Sequence, residues 1–309
     1  MRPDPVDDAT LALLLEVAGT PKPGNVDRHR DLDDLRFEAF LGGAVGAREG
    51  LELAADGEAG IGRAFERGVA GMAARAGTNT QFGCLLLLVP LVRATVATGE
   101  DDSDLSPAAV DRVTRGTTVD DAVAFYRAFE HVDVAVADPP ADADDLDVRR
   151  GGDAAPALRE RGVTLRDVMA LSAADDADRI PDRNAQEWVE GFPRTFRAAE
   201  WIRSDEGPLT DRAARAFLGL LAAEPDTLVA ANHGPERARE ASDRAAALLA
   251  GERSTSETID AAAVHGADLD AAEELAAAFV DEGINPGTTA DLTCAALYVA
   301  LRRGTEVER

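Results

Sequence analysis

Three polar, glycine-bearing segments hold the residue types that could do chemistry. The first, TPKPGNVDRH at residues 20–29, contains Lys22, the single lysine among 32 basic residues. Pro21 and Pro23 stiffen the backbone around that ammonium group, and Gly24 permits a positive φ and a close ligand approach. This combination suits the binding of an oligophosphate.

Oxygen-bearing side chains follow the first segment closely. Asn25, Asp27 and Asp31 offer the hard oxygen ligands that Mg²⁺ prefers. Histidine is the side chain most often used as an acid or base near neutral pH, so His29 is a candidate for that role. The alternative is a loop in which proline and glycine only punctuate the chain, while the aspartates cap the next helix.

The second segment, AGTNTQFG at residues 76–83, leads into a very apolar stretch. Asn79 and Thr80 place an amide and a hydroxyl at the predicted start of a helix, where outward-pointing backbone amides favour phosphate or ribose. The alternative is a capping box between Thr78 and Gln81. Both functions are compatible, because capping uses only some of these groups.

The third segment, NPGTTADL at residues 285–292, again places glycine and hydroxyl groups before a predicted helix. Gly287 and Thr288 are candidate nucleotide contacts. Asp291 lies three residues after Thr288, and the common explanation for a carboxylate at that spacing is a capping box. This segment alone therefore does not distinguish a binding site from a helix start.

Helical periodicity runs through almost the whole chain and predicts an all-α fold. Residues 183–204 are predicted as one helix that carries both tryptophans. Only residues 132–138 alternate as a strand would, and one short strand makes no sheet. Further helix starts are predicted at hydroxyl residues that can accept hydrogen bonds from first-turn amides, namely Ser106, Thr118 and Thr164.

We expect one multi-helix domain over residues 1–309, with an acidic loop near residues 137–153 in which proline, aspartate and glycine cluster. Cys84 and Cys294 each lie in an apolar helical run and are predicted to be buried free thiols rather than a disulfide framework. The longest apolar run, residues 84–92, is too short to span a bilayer.

The charge balance is strongly acidic, with 58 acidic residues against 32 basic ones and a net charge of −26. Such a surface repels nucleic acid and anionic membranes, so neither is an expected partner. Abundant arginine and aspartate with almost no lysine suggest a saline cytoplasm. No signal peptide is predicted, because acidic residues precede the first apolar stretch and no small-residue cleavage site follows it.

Taken in order, the motifs ALLLEVAGTPKPGNVD with HRDLD, GTNTQFG and NPGTTADL resemble the triphosphoribosyl-dephospho-CoA synthase family, which serves citrate lyase and malonate decarboxylase. The resemblance runs from about residue 11 to residue 303. This chain departs from the family pattern at Asn25, where a leucine is usual, and at Thr288 and Thr289, which replace a Gly-Ser type pair.

The resemblance implies a mostly helical transferase. ATP donates its triphosphoribosyl group to the ribose 2′-hydroxyl of dephospho-CoA, adenine leaves, and the product becomes the prosthetic group of an acyl carrier protein. Because ATP carries a β-glycosidic bond and the family's product is α-linked, one inverting displacement is the economical mechanism. By analogy with inverting glycosidases, it needs a base on the hydroxyl and an acid on the leaving group.

Residue roles follow from the resemblance as hypotheses. Lys22, Gly24 and Asn25 would hold the triphosphate beside Mg²⁺, with Asp27 and Asp31 as the metal ligands. Asn79 and Thr80 would contact ribose or phosphate, together with Gly287 and Thr288. The candidate catalytic groups are Asp27, His29 and Asp291, of which Asp291 would be the base or a charge facing the oxocarbenium centre.

Two other functions remain open at this stage. One is a Mg²⁺-dependent hydrolase of ADP-ribosyl N-glycosides, in which water replaces the alcohol acceptor. The other is a non-catalytic helical module that binds nucleotides. Asp175 and Asp176 are a candidate second metal site, although a solvated pair is the common explanation in a chain so rich in aspartate.

Overall fold

The computed structural model describes residues 3–97, 105–136, 143–174, 180–249 and 259–307. Within these ranges the protein is all-α, as predicted, and no strand occurs. Two 3-10 helices span Asp144–Leu146 and Val148–Ala154. The α-helices are α1 (Pro5–Ala18), α2 (Phe37–Gly46), α3 (Arg48–Asp56), α4 (Ile61–Ala76), α5 (Phe82–Ala97), α6 (Pro107–Arg115), α7 (Val119–Ala128), α8 (Ala155–Arg161), α9 (Leu165–Ala173), α10 (Arg183–Glu190), α11 (Pro193–Ser204), α12 (Leu209–Ala223), α13 (Thr227–His233), α14 (Pro235–Ala246), α15 (Ala261–His265), α16 (Leu269–Asp281) and α17 (Gly287–Arg302).

The hydroxyl residues predicted to start helices do so. Thr118 and Thr164 form reciprocal capping boxes with Asp121 and Asp167, which satisfy open backbone amides at the starts of α7 and α9. Ser106 accepts a hydrogen bond from the backbone of α6, whose first position is a proline. Local capping chemistry therefore sets these three boundaries.

The single helix predicted over residues 183–204 is wrong. The chain breaks between α10 and α11, where Gly191 and Phe192 both adopt positive φ, at 82° and 64°, and a proline then starts α11. Trp188 and Trp201 consequently lie on different helices, and both are buried in the main core.

The strand-like alternation at residues 132–138 does not produce a strand over its described part, which is extended but pairs with no other strand. Its alternation has another cause. Val132, Val134 and Val136 are half-buried, whereas Asp133 and the alanine that follows Val134 are exposed. A period of two fits any extended segment laid against a core, so it does not require a sheet. The last two positions of the prediction lie outside the described residues.

The predicted acidic loop at residues 137–153 is only partly a loop. Its described portion is largely the two 3-10 helices, interrupted at Gly151, where φ is 53°. The Gly152 amide donates to Glu130 Oε1 at 2.6 Å. The acidic composition therefore marks short helical turns held against the end of α7.

Helix α17 forms the centre of the molecule and packs against α1, α5, α11 and α12. Its middle is apolar and fully buried around Leu297, and the Tyr298 hydroxyl meets Thr95 of α5 at 2.8 Å. Cys84 and Cys294 are buried free thiols, as predicted. In the part of the chain that the structure describes, no helix is long and apolar enough to cross a membrane.

Candidate active site

A cavity of about 930 Å³ lies where the first turns of α5, α10 and α17 face the end of α1. All three sequence segments reach it, through Asn25, through residues 78–80 and through residues 285–291. Its size is near the upper end of the roughly 300–1,000 Å³ typical of small-molecule sites. It can therefore accept large nucleotide ligands.

Two glycines let the three segments approach one another. Gly24 has a φ of 73°, and a Cβ there would lie 1.9 Å from the carbonyl oxygen of Ile284, just before the third segment. A Cβ on Gly83 would lie 1.9 Å from Asp291 Oδ2. Asn25 Nδ2 also donates to Asn285 Oδ1 at 3.0 Å. The third segment is thus in direct contact with both of the others.

Asp291 faces the cavity from the first turns of α17. Its Oδ2 accepts a hydrogen bond from Asn184 Nδ2 at 2.8 Å, and its Oδ1 accepts from Cys84 Sγ at 3.2 Å. Burial raises the pKa of Asp291 to about 7, assisted by the negative charges of Glu16 and Asp226 and opposed by the two hydrogen bonds. Near neutral pH this carboxyl group can therefore accept or release a proton.

The capping box considered for Asp291 does not form. Helix α17 begins after Pro286 without any side-chain cap, and the Asp291 carboxylate points toward α5 and α10 instead. Thr289 has a different partner, since its amide and hydroxyl both donate to Asp226 Oδ2 at 2.7 Å. Asp226 is buried, and burial raises its pKa.

Lys22 forms a buried ion pair with Glu16. The two residues are 1% and 2% exposed, and Lys22 Nζ also donates to Asn25 Oδ1 at 3.4 Å. Burial raises the pKa of Glu16, while the Lys22 ammonium lowers it. Glu16 and Asn25 line the cavity and Lys22 does not, so the ammonium lies behind the cavity wall.

Asp27 holds the first segment in shape. It is completely buried. Its Oδ2 accepts from Thr20 Oγ1 at 3.0 Å, from the Lys22 amide at 3.3 Å and from Arg30 Nη1 at 3.0 Å. Its Oδ1 accepts from the His29 amide at 2.8 Å. These four donors use both oxygens to close the turn.

The structure does not bring the other predicted metal ligand to the cavity. Asp31 and His29 are exposed and do not line it, and Asp31 Oδ1 accepts from the Phe37 amide at 2.8 Å. Among the described ranges, no group of three or more His, Cys, Asp or Glu side chains could hold a metal ion. The Asp175 and Asp176 pair lies outside those ranges.

The second segment contributes a cap and an unpaired hydroxyl. Asn79 Oδ1 accepts from the Phe82 amide at 3.2 Å, so Asn79 caps α5, and the capping box predicted between Thr78 and Gln81 is wrong. Gln81 Nε2 instead donates to a backbone carbonyl of α1 at 3.3 Å. Thr80 Oγ1 is buried beside the cavity without a hydrogen-bond partner. Such a group is available to a ligand.

Sequence reasoning missed three cavity residues. Glu16 could have been identified from the sequence, because a lone carboxylate within the apolar run of α1 needs a partner or a function. No local pattern could have identified Asn184 or Cys84, since the hydrogen bonds that join them to Asp291 span 107 and 207 positions of the chain. The Oδ1 atom of Asn184 is buried without a partner, like the Thr80 hydroxyl.

The cavity lining is anionic. No lysine, arginine or histidine occurs among the described residues that line it. Its carboxylates come from α1, α17, the N-cap of α10 and three connecting segments: Glu16, Asp34, Asp133, Asp147, Asp182 and Asp291. A polyanionic ligand would therefore need accompanying cations.

Comparison with known proteins agrees with this architecture. No curated protein matches the chain significantly. A crystal structure of a protein from Archaeoglobus fulgidus, provisionally assigned as a triphosphoribosyl-dephospho-CoA synthase, is similar over 88% of this chain and 100% of its own, with 25% sequence identity and a TM-score of 0.64. The model of the ATP:dephospho-CoA triphosphoribosyl transferase family matches residues 4–309. The chain belongs to this family.

Proposed function

We propose that the cavity transfers the triphosphoribosyl group of ATP to the 2′-hydroxyl of dephospho-CoA, with Asp291 as the general base. The main support for this proposal is the position and pKa of Asp291. Its carboxyl group lines the cavity, has a pKa of about 7, and accepts hydrogen bonds from Cys84 of α5 and Asn184 of α10. Efficient general bases have pKa values near the working pH.

The reaction is a single displacement at the anomeric carbon. The 2′-oxygen of the acceptor forms a bond to C1′ of ATP as the C1′–N9 bond to adenine breaks. Asp291 receives the hydroxyl proton, and the departing adenine takes up a proton from an acid or from water. The Asn184 amide would orient the carboxylate through the 2.8 Å hydrogen bond to Oδ2. The other oxygen, Oδ1, then faces α5 and accepts from the Cys84 thiol.

A second carboxyl group, that of Glu16, would stabilise positive charge at the transition state rather than accept a proton. Glu16 lines the same cavity and is paired with Lys22. A carboxylate held there would stabilise the positive charge that develops on the ribose ring at the transition state. Lys22 then acts through Glu16 and Asn25, which replaces the direct phosphate contact expected from the sequence.

Substrate binding would use the neutral polar groups of the cavity. The unpaired Thr80 hydroxyl is available to donate to ribose or phosphate, and the Asn184 Oδ1 atom is available to accept from a ribose hydroxyl. Asn79, Gly287 and Thr288 also line the cavity, so we retain them as nucleotide contacts. Catalytic use of Asp27 or His29 finds no support in their contacts.

We propose that ATP binds as its Mg²⁺ complex. The anionic lining supports this, because the ion would offset repulsion between the carboxylates and the triphosphate. The residues predicted to hold the metal do not fit it, since Asp27 is saturated with internal donors and Asp31 does not line the cavity. The ion would therefore stay on phosphate oxygens and water, and the mechanism above uses no protein-bound metal.

The acidic composition supports a saline cytoplasm as the working environment. Delivery of the product to an acyl carrier protein of citrate lyase or malonate decarboxylase would complete the pathway. The proposed environment rests on the composition, and the proposed delivery rests on the family reaction.

The decisive experiment incubates the purified protein with ATP, Mg²⁺ and dephospho-CoA in high salt. Stoichiometric adenine and a CoA product heavier by one triphosphoribosyl group are expected. Asp291→Asn should lower the rate at least about 100-fold, whereas the exposed control Asp33→Asn should keep it. Release of ADP-ribose from an ADP-ribosylated substrate would support hydrolysis instead, and nucleotide binding without turnover would support a sensing module.

A further inference from the structure

One end of the cavity is lined mainly by apolar side chains, with the carboxylates of Asp133 and Asp147 on the same segments, and the proposed transfer step does not use it. Its wall comes from α7, α9, the 3-10 helix Asp144–Leu146 and the extended segment 132–136. We call this end the apolar arm and define it by the lining side chains of Phe129, Val134, Val136, Leu146 and Leu171.

Rigid packing builds the apolar arm. The ring centroid of Phe129 lies 4.9 Å from that of Phe82 and 5.3 Å from that of Phe125. The Tyr126 hydroxyl donates to the carbonyl oxygen of Leu146 at 2.5 Å, which fixes the 3-10 helix against α7. Leu146 is buried, whereas Phe129 is half-buried and keeps part of its surface free.

The first turn of α5 joins the apolar arm to the reacting end of the cavity. Gly83 contacts Asp291, and its neighbour Phe82 contacts Phe129. Asn79 caps this turn and donates through Nδ2 to the carbonyl oxygen of Asp133 at 3.2 Å. The extended segment that carries Val134 is thereby tied to the helix that touches the proposed base.

The chemistry of the two substrates restricts what can occupy this end, if the proposed function holds. Both adenines are attached to the ribose carbon that reacts or to its neighbour, so both must lie close to Asp291. The triphosphate of ATP and the diphosphate of the acceptor are charged, and burying them against apolar side chains would be costly. The pantetheine chain of the acceptor is the remaining part, and it is uncharged and reaches away from the ribose.

We propose that the apolar arm binds the pantetheine chain of the acceptor and so selects dephospho-CoA among nucleosides with a free 2′-hydroxyl. The branched methyl groups of that chain would pack on Val134, Leu171 and the free surface of Phe129. The polar end of the cavity accepts any such nucleoside, and the apolar arm supplies the discrimination.

Calorimetric titration with 4′-phosphopantetheine, which carries the chain without the nucleoside, tests the proposal independently of catalysis. The unmodified protein should bind it, and Val134→Asp should weaken binding at least about tenfold, because a carboxylate would then have to be desolvated against the chain. His131→Asp adds the same charge to the same segment at an exposed residue that does not line the cavity. It should leave binding unchanged.

A parallel titration with ADP, which carries adenine and phosphates without the chain, separates the occupants. Val134→Asp should change ADP binding less than twofold. Equal weakening for both ligands would show that the apolar arm holds adenine and would overturn the proposal, as would a lack of 4′-phosphopantetheine binding to the unmodified protein. Failure of adenine release in the transfer assay would instead reject the proposed function and leave this binding result standing.

Discussion

Replacing Asp291 by asparagine should stabilise the fold while it removes activity. The pKa of this carboxyl group rises from an ordinary 3.8 to about 7 in the folded protein, so the native environment disfavours its charged form. Asparagine is nearly isosteric, and its Oδ1 can still accept the hydrogen bond from Asn184 Nδ2. A catalytic group that carries such a penalty illustrates the trade-off between stability and activity.

The sign and size of the effect follow from proton linkage. Below pH 3.8 both the folded and the unfolded chain hold the proton, so the group costs nothing. As the pH rises toward 7 the unfolded chain loses the proton and the folded chain keeps it, so stability falls with pH. Each pH unit in that window is worth about 1.4 kcal/mol, which gives a full penalty of about 4 kcal/mol above pH 7, less whatever hydration the cavity supplies.

Urea unfolding of the Asp291→Asn variant and the unmodified protein, at constant high salt from pH 5 to pH 8, would measure this. The difference in the free energy of unfolding should grow in favour of the variant by about 3 kcal/mol over this range. Asp33→Asn, at an exposed position, is the matched control and should shift stability equally at both ends. A flat difference for Asp291→Asn would refute the raised pKa and with it the case for Asp291 as a base tuned to neutral pH.

Three other perturbations test the remaining contacts. Glu16→Gln should destabilise the fold by about 3–5 kcal/mol in urea unfolding, because it leaves the Lys22 ammonium buried without its counter-ion. Adding Lys22→Met should restore much of the loss. If stability does not recover, loss of the Lys22–Glu16 ion pair is not the cause of the destabilisation. Gly83→Ala should reduce adenine release at least about 100-fold, since its Cβ would overlap Asp291 Oδ2, while Gly68→Ala in α4, with ordinary contacts only, should keep full activity. Raising KCl from 0.1 M to 1 M should lower the KM for ATP, because the Debye length falls from about 10 Å to about 3 Å; a KM that rises with salt would argue against repulsion by the cavity lining.

The sequence was sufficient for the fold class and the family because both depend on local or contiguous patterns. The capping boxes at Thr118 and Thr164 are short-range hydrogen bonds, and the three motifs are contiguous. The matched family and the all-α architecture confirm those predictions. The break at Gly191 and Phe192 was missed because a positive φ is rare for phenylalanine and is stabilised here by tertiary packing. The Phe192 ring is completely buried.

The site was predictable as a set of segments but not as a set of contacts. The proline-bounded lysine of the first segment suggested a phosphate-binding ammonium. In the structure Lys22 instead pairs with Glu16, six positions earlier. Asn25, where the family usually has leucine, bonds to Asn285 across 260 positions, and no local pattern could indicate this. Burial decides between such alternatives, and a lone sequence does not report the burial of a polar side chain.

The excess of acidic residues reaches into the cavity itself, and this limits how the protein can bind its substrates. Two polyanions must share a space in which the described lining offers carboxylates and neutral dipoles but no cationic side chain. The one lysine is neutralised behind the wall by Glu16. Attraction must therefore come mainly from mobile or metal cations. The starts of α5, α10 and α17 also line the cavity, but Asn79, Asp182 and Asp226 already accept hydrogen bonds from their first-turn amides. Because long-range repulsion between these carboxylates and a polyanion is screened at high salt, substrate binding would gain from the saline medium proposed above.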